Sequence, residues 1–171
     1  MKSMIICGFD VGLRNSAYGI IRANFDDDDP DVIPLELVAA GMISTPSKMP
    51  YAESLRSIRD QTLLLLHGYS IDVVGIEDVH PPVGRNIGSI KGTAMVIGVL
   101  HETVWCVHEL EPRLVSPSHM KVSITGNGKA DKEMVAKVVR DTLISPSLKT
   151  GHVTDALAVA LTVLGDIELT L

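Results

Sequence analysis

The stretch that decides the fold is Met4 to Val11, MIICGFDV, an apolar run of strand length that ends in an acid and is broken by Gly12. A second run, Ser16 to Ala23 (SAYGIIRA), follows after a short turn, so the two are expected to form a hairpin. Beyond it, Asp26 to Asp29 and Asp31, with Pro30 and Pro34, mark a solvated loop before a third strand, Leu35 to Ser44 (LELVAAGMIS). Tyr51 to His67 has the apolar spacing of an amphipathic helix, stopped by Gly68. Ile71 to Glu77 (IDVVGIE) is short, β-branched and apolar, as in a strand buried on both faces, and Asp78 to Asn86 is a loop with two prolines. From Ile87 to His108 the pattern is helical, but its apolar residues spread too widely for one stripe, so two faces are expected to meet protein. A brief strand at Leu114 and Val115 precedes a short helix opened by Ser116 and Pro117, and a TGNGK loop spans Thr125 to Lys129. Helices over Asp131 to Leu143 and His152 to Leu164 complete the chain, which contains no internal repeat. Three strands followed by helices alternating with strands predict an α/β layer fold with a mixed sheet.

The 171 residues, 46% hydrophobic with mean hydropathy +0.26, suit one domain over 1–171 and exclude a disordered tail. Cys7 and Cys106 stand far apart, so neither a disulfide framework nor a cysteine zinc site is available. Apolar stretches such as Ala156 to Leu164 are too short for a bilayer, and the opening run meets Asp10 too early for a signal peptide; a soluble, cytoplasmic protein without membrane contact is expected. The net charge of −6 argues against holding nucleic acid by bulk electrostatics. Five of the acids sit in one loop, however, and the remainder is close to neutral, which leaves room for a local basic face.

Asp10 ends one apolar strand, Glu77 ends another, and Asp155 stands at the head of an apolar helix. Taken singly, Asp10 could start a turn, Glu77 could pair with a lysine or arginine at the sheet edge, and Asp155 could cap its helix. Jointly they suggest three buried carboxylates, which need concentrated positive charge. All-oxygen sites favour Mg²⁺ or Mn²⁺, and two such ions about 3.5–4 Å apart suit phosphodiester hydrolysis. His152, three residues before Asp155 and on the same helical face, is a candidate fourth ligand or proton carrier. His67, His101, His108 and His119 lack an acidic partner at ligand spacing and receive no role.

Four blocks carry a resemblance: Gly8-Phe9-Asp10-Val11-Gly12 with Tyr18-Gly19-Ile20-Ile21; Val74-Gly75-Ile76-Glu77; Ser116-Pro117-Ser118-His119-Met120-Lys121; and Thr154-Asp155-Ala156-Leu157-Ala158-Val159-Ala160. In order and near spacing they resemble the RuvC family of Holliday-junction resolvases. The resemblance implies a ribonuclease H-like mixed five-stranded sheet, an antiparallel three-stranded part plus parallel strands, flanked by helices. It implies a crossover junction endodeoxyribonuclease with Asp10, Glu77, His152 and Asp155 at metal-binding catalytic positions. The family fills the His152 position with aspartate in some members and histidine in others, and a histidine there, softer than aspartate, would tilt the site from Mg²⁺ toward Mn²⁺. Lys121 and Lys132 match lysines placed beside the scissile phosphate, where cationic charge would stabilise the transition state.

Lys121, Lys129 and Lys132 flank the TGNG loop, whose backbone N–H groups could also hold phosphate. Arg14, Arg85 and Lys91 add positive charge that could grip the arms of a four-way DNA junction, and His80 stands where family members carry an aromatic wedge. A two-fold symmetric junction predicts a homodimer, with the helix from Ile87 to His108 as interface and Gly88, Gly92 and Gly98 allowing close approach. The alternatives are a nuclease of the same fold acting on RNA or RNA–DNA hybrid, and a catalytically weak junction-binding protein. Cleavage preference and any branch-migration partner are not written in the chain.

Overall fold

The computed structural model describes residues 2–25, 33–79 and 87–168, the side chains of 87, 89 and 168 excepted, so the aspartate run lies outside the described residues. Strands β1 (Lys2–Asp10), β2 (Asn15–Phe25) and β3 (Leu35–Ser44) come first, followed by α1 (Tyr51–His67), β4 (Val73–Glu77) and α2 (Ile87–His108). The short β5 (Arg113–Val115) leads into α3 (Pro117–Thr125), α4 (Lys132–Thr142) and α5 (His152–Glu168). The sheet has the order β3-β2-β1-β4-β5, with β1, β2 and β3 antiparallel and β1, β4 and β5 parallel. This is the mixed five-stranded sheet expected from the sequence. Val38 is an extra residue between the Ile21–Leu37 and Ile20–Ala39 pairs, a bulge that twists the edge strand β3.

Strand alternation sends successive side chains to opposite faces. Cys7, Phe9, Ile20, Val74 and Ile76 turn toward α1 and α2, where Ile58, Leu66, Val96, Leu100 and Val104 complete one core. Ile6 and Ile21 turn toward a second core built from α3, α4 and α5. On that second face Gly19, Gly8 and Gly75 stand in register across β2, β1 and β4. A Cβ on Gly8 would lie 2.2 Å from the Ala156 carbonyl oxygen and 2.6 Å from the Ala160 nitrogen, so α5 rests directly on the strand backbone.

Helix α2 explains the missing single stripe. Val96, Leu100 and Val104 are fully buried, whereas Met95 and Trp105 on the outward side are 48% and 55% exposed. Its segment Ile90–His108 has mean hydropathy 1.2 over 19 residues, long and apolar enough to cross a membrane by length and composition alone. That corrects the expectation that every apolar stretch is too short; the polar residues interspersed in α2 conceal the span from a search for unbroken runs. Its packing through Leu100 and Val104 into the core is that of a helix seated on a sheet. Gly88 belongs to α2, not to the preceding loop. A Cβ on Gly92 would touch Leu13 of this same chain at 3.4 Å, while one on Gly98 would meet nothing within 4 Å.

Candidate active site

Asp10 and Glu77 are the last residues of the parallel neighbours β1 and β4, one step beyond the Phe9–Ile76 pair. Each lies two residues past a glycine of the row beneath α5, so each turns to the α5 face. His152 is the first residue of α5 and Asp155 lies in its first turn. Because Gly8 admits the backbone of α5 at Ala156, the start of that helix is brought against the end of β1. Ligand atoms of Asp10, His152 and Asp155 all lie within 4.8 Å of one another.

The electrostatics follow from this crowding. Asp10 and Asp155 are buried, at 7% and 6% exposure. His152 Nδ1 is 2.6 Å from Asp10 Oδ2. The Lys132 ammonium donates to Asp155 Oδ2 at 2.8 Å, and that bond, more than the surrounding negative charge, holds its pKa above the usual lysine value. Burial pushes Glu77 up to about 8, reinforced by a hydrogen bond with Asp10 and by the charges of Asp10 and Asp155, and opposed by Lys132. One lysine therefore leaves the carboxylates under-compensated. The donor set, carboxylate oxygens with one imidazole opening on a cleft, fits a divalent cation.

That cleft, of about 640 Å³, is lined by Asp10, Glu77, Lys121, Lys132, His152 and Asp155 among others. Two caps position its lysines. Ser116 accepts from the His119 N–H at 3.2 Å, with Pro117 opening α3, which carries Lys121. Asp131 caps α4 through the Met134 N–H, placing Lys132 first in that helix. Asn15 and Thr93 also line the cleft and carried no signal in the sequence, being ordinary polar residues placed there by tertiary packing, and Ser118, which lies in the third block of the resemblance, lines it too.

Other expected contacts stand elsewhere. Arg14 faces inward: Nη1 donates to the Pro46 carbonyl at 2.7 Å and to Ser54 Oγ at 2.8 Å, and Nη2 donates to the Met49 carbonyl at 2.8 Å. It ties the β1–β2 turn to the start of α1, because the chain after β3 doubles back within reach of the guanidinium. Four amides in and just after the TGNG loop are already engaged. Gly126 N–H donates to the Val122 carbonyl, Asn127 N–H to Thr125 Oγ1, Lys129 N–H to Asn127 Oδ1 and Ala130 N–H to the Asn127 carbonyl. Those groups are thereby withdrawn from the phosphate-holding role expected of them. Lys91 and Lys129 are exposed, while His80 and Arg85 lie outside the described residues. His119 and His101, given no role for want of an acid at ligand spacing, pair instead with acids further along the chain: His119 Nε2 is 2.9 Å from Asp166 Oδ1, and His101 Nδ1 is 3.3 Å from Glu111 Oε1. Asp166 is 47 residues from His119, beyond any local pattern.

Comparison with known proteins points the same way. Residues 6–163 match the family described as crossover junction endodeoxyribonuclease RuvC. The chain is 32% identical over 164 residues to the crossover junction endodeoxyribonuclease RuvC of Aliarcobacter butzleri (strain RM4018), covering 93% of this chain and 97% of the relative. It is 31% identical over 160 residues to that of Wolbachia pipientis wMel, covering 91% of each. The structure of Thermus thermophilus RuvC in complex with Holliday junction substrate aligns at a TM-score of 0.85 and 23% identity, over 98% of this chain and 96% of that one. With its ribonuclease H-like sheet and these relatives at nearly full length, the chain belongs to the RuvC family.

Proposed function

We propose that this protein is a crossover junction endodeoxyribonuclease, a single nuclease domain that resolves four-way DNA junctions by paired phosphodiester hydrolysis during recombination in the cytoplasm. The observation that carries this reading is the convergence of Asp10, Glu77, His152 and Asp155 on one cleft beside Lys121 and Lys132. The relatives it matches bear that activity in their names, and the Thermus thermophilus protein is described with a Holliday junction. Asp10, Glu77, His152 and Asp155 would hold Mg²⁺ or Mn²⁺, two ions to each site. When bound, such ions lower the pKa of a water and neutralise the leaving oxygen. Lys132, held by Asp155, and Lys121, which lines the same cleft, supply cationic charge to the phosphate as its oxygens gain negative charge. The Asp10 carboxylate fixes the His152 ring through Nδ1, and the imidazole favours Mn²⁺ over Mg²⁺. Exposed Lys91 and Lys129, with Arg85 and His80, are assigned to the junction arms and centre, whereas Arg14 serves the fold.

Two symmetric nicks call for two sites, and the outward face of α2 supplies a surface for a homodimer. Met95 and Trp105 are half exposed there, and Gly98 leaves open space between them. The test is incubation with Mn²⁺ or Mg²⁺ and labelled four-way junction, linear duplex and RNA–DNA hybrid. Paired nicks confined to the junction are expected. Degradation of hybrid, or retarded junction without cleavage, would overturn the proposal in favour of a hybrid nuclease or a binding module. Asp10→Asn should abolish cutting while junction binding survives.

A further inference from the structure

The loop that joins α4 to α5 ends on His152, and a closed ring of side chains holds it. Arg140 Nη2 donates to Glu133 Oε1 at 2.5 Å, and Arg140 Nη1 donates to Thr150 Oγ1 at 3.2 Å. Thr150 Oγ1 in turn donates to Glu133 Oε2, closing the circuit. Arg140 Nη1 also donates to the Leu148 carbonyl at 3.3 Å, so the guanidinium grips both backbone and side chain of the loop. Glu133 and Arg140 stand two turns apart on one side of α4, with residues 148–150 drawn along that side. The loop needs such a hold. Ile144 has φ 49°, in the left-handed region, and Gly151 has φ 154°, while of the loop's side chains Leu143 is buried in the core and Leu148 packs partly against it.

The ring sits next to the chemistry on both strands of the connection. Glu133 follows Lys132, whose Nζ reaches Asp155, and Thr150 lies two residues before His152, whose Nδ1 reaches Asp10. Resting on the nuclease reading of this cleft, we propose that Glu133, Arg140 and Thr150 form a latch whose function is to position His152 and Lys132 relative to the carboxylates. A single ion pair at the surface would contribute little. A three-membered ring that also grips the loop backbone fixes the start of α5 against α4, and displacements near 1 Å in a catalytic group cost about 10²-fold in rate. Both bonds to Glu133 favour its ionised form and lower its pKa, with the Thr150 hydroxyl the larger cause, as expected of a carboxylate that accepts from both partners.

The test compares Thr150→Val, which removes the hydroxyl at nearly constant volume, with Thr150→Ser, which restores it. Thr150→Val should lower kcat for junction cleavage about tenfold with unchanged junction affinity. It should weaken Mn²⁺ binding, measured by calorimetry, about tenfold, and shift the His152 ring resonances in NMR spectra of the metal-free protein. Tm should move by no more than about 2 °C, and Thr150→Ser should recover all three readouts. Equal behaviour of Thr150→Val and the parent protein, or a rate loss matched by a fall in Tm without a change at His152, would overturn the latch. Asp10→Asn run alongside separates the two ideas: retained cutting in that variant defeats the nuclease assignment, whereas the His152 resonances report on the latch regardless.

Discussion

On one face of the sheet Phe9, Ile20 and Ile76 meet α1 and α2 through bulky side chains, while on the other Gly8, Gly19 and Gly75 let α5 lie against the strands themselves. The first arrangement buries much apolar volume and tolerates small adjustments, because side chains can repack. The second has little slack: the helix rests on backbone, and the backbone cannot change rotamer. Asp10, Glu77 and Asp155 all belong to this second face. A site that must hold three acids close together against their mutual repulsion is built where the packing cannot relax.

This contrast can be broken by experiment. The largest effect is expected from Asp10→Asn, with cleavage falling at least about 10³-fold while the fold persists. In the parent protein Mn²⁺ at a hundred times its Kd should add about 2.7 kcal/mol of stability, seen as a rise in Tm, and this increment should vanish in the variant. On the bulky face, Leu100→Ala should cost about 3 kcal/mol by denaturant unfolding, yet leave cleavage per folded molecule unchanged. On the glycine face, Gly8→Ala should cost about 2 kcal/mol and in addition reduce cleavage per folded molecule at least about tenfold, because α5 must lift away from β1. Equal cleavage losses in Leu100→Ala and Gly8→Ala would erase the distinction. The smallest effect on folding, within about 0.5 kcal/mol, is expected from Trp105→Glu on the outward face of α2; sedimentation should instead show a shift from dimer to monomer.

Much of the architecture was legible in the residues because its signals are local. The apolar runs at β1 and β2, the Ser116-Pro117 opening of α3, and the helical spacing of α1 and α2 each lie within or beside one element. The acids at Asp10, Glu77 and Asp155 were conspicuous as charges in apolar segments, and the structure brings them together with His152. What misled were groups whose hydrogen-bond partners appear only in the folded chain, some distant in sequence and some within the same loop. Arg14 read as a free cation near the site, but its acceptors at Pro46, Met49 and Ser54 lie more than thirty residues on. The TGNG segment read as a row of available amides, yet Thr125 and Asn127 cap it from within. The ring of Glu133, Arg140 and Thr150 left no mark at all, since each member is an ordinary surface residue until the loop folds back on α4.

The sequence by itself determined which segments become strands and helices and which acids stand at their ends, because periodicity, capping and charge placement act over a few residues. Tertiary structure alone decided that Gly19, Gly8 and Gly75 align beneath α5, that Lys132 reaches Asp155, and which amides and guanidinium groups are already engaged. These depend on strand register and on contacts between residues up to 142 positions apart, as between Asp10 and His152. Such contacts arise only once burial of the apolar faces has fixed how the layers stack.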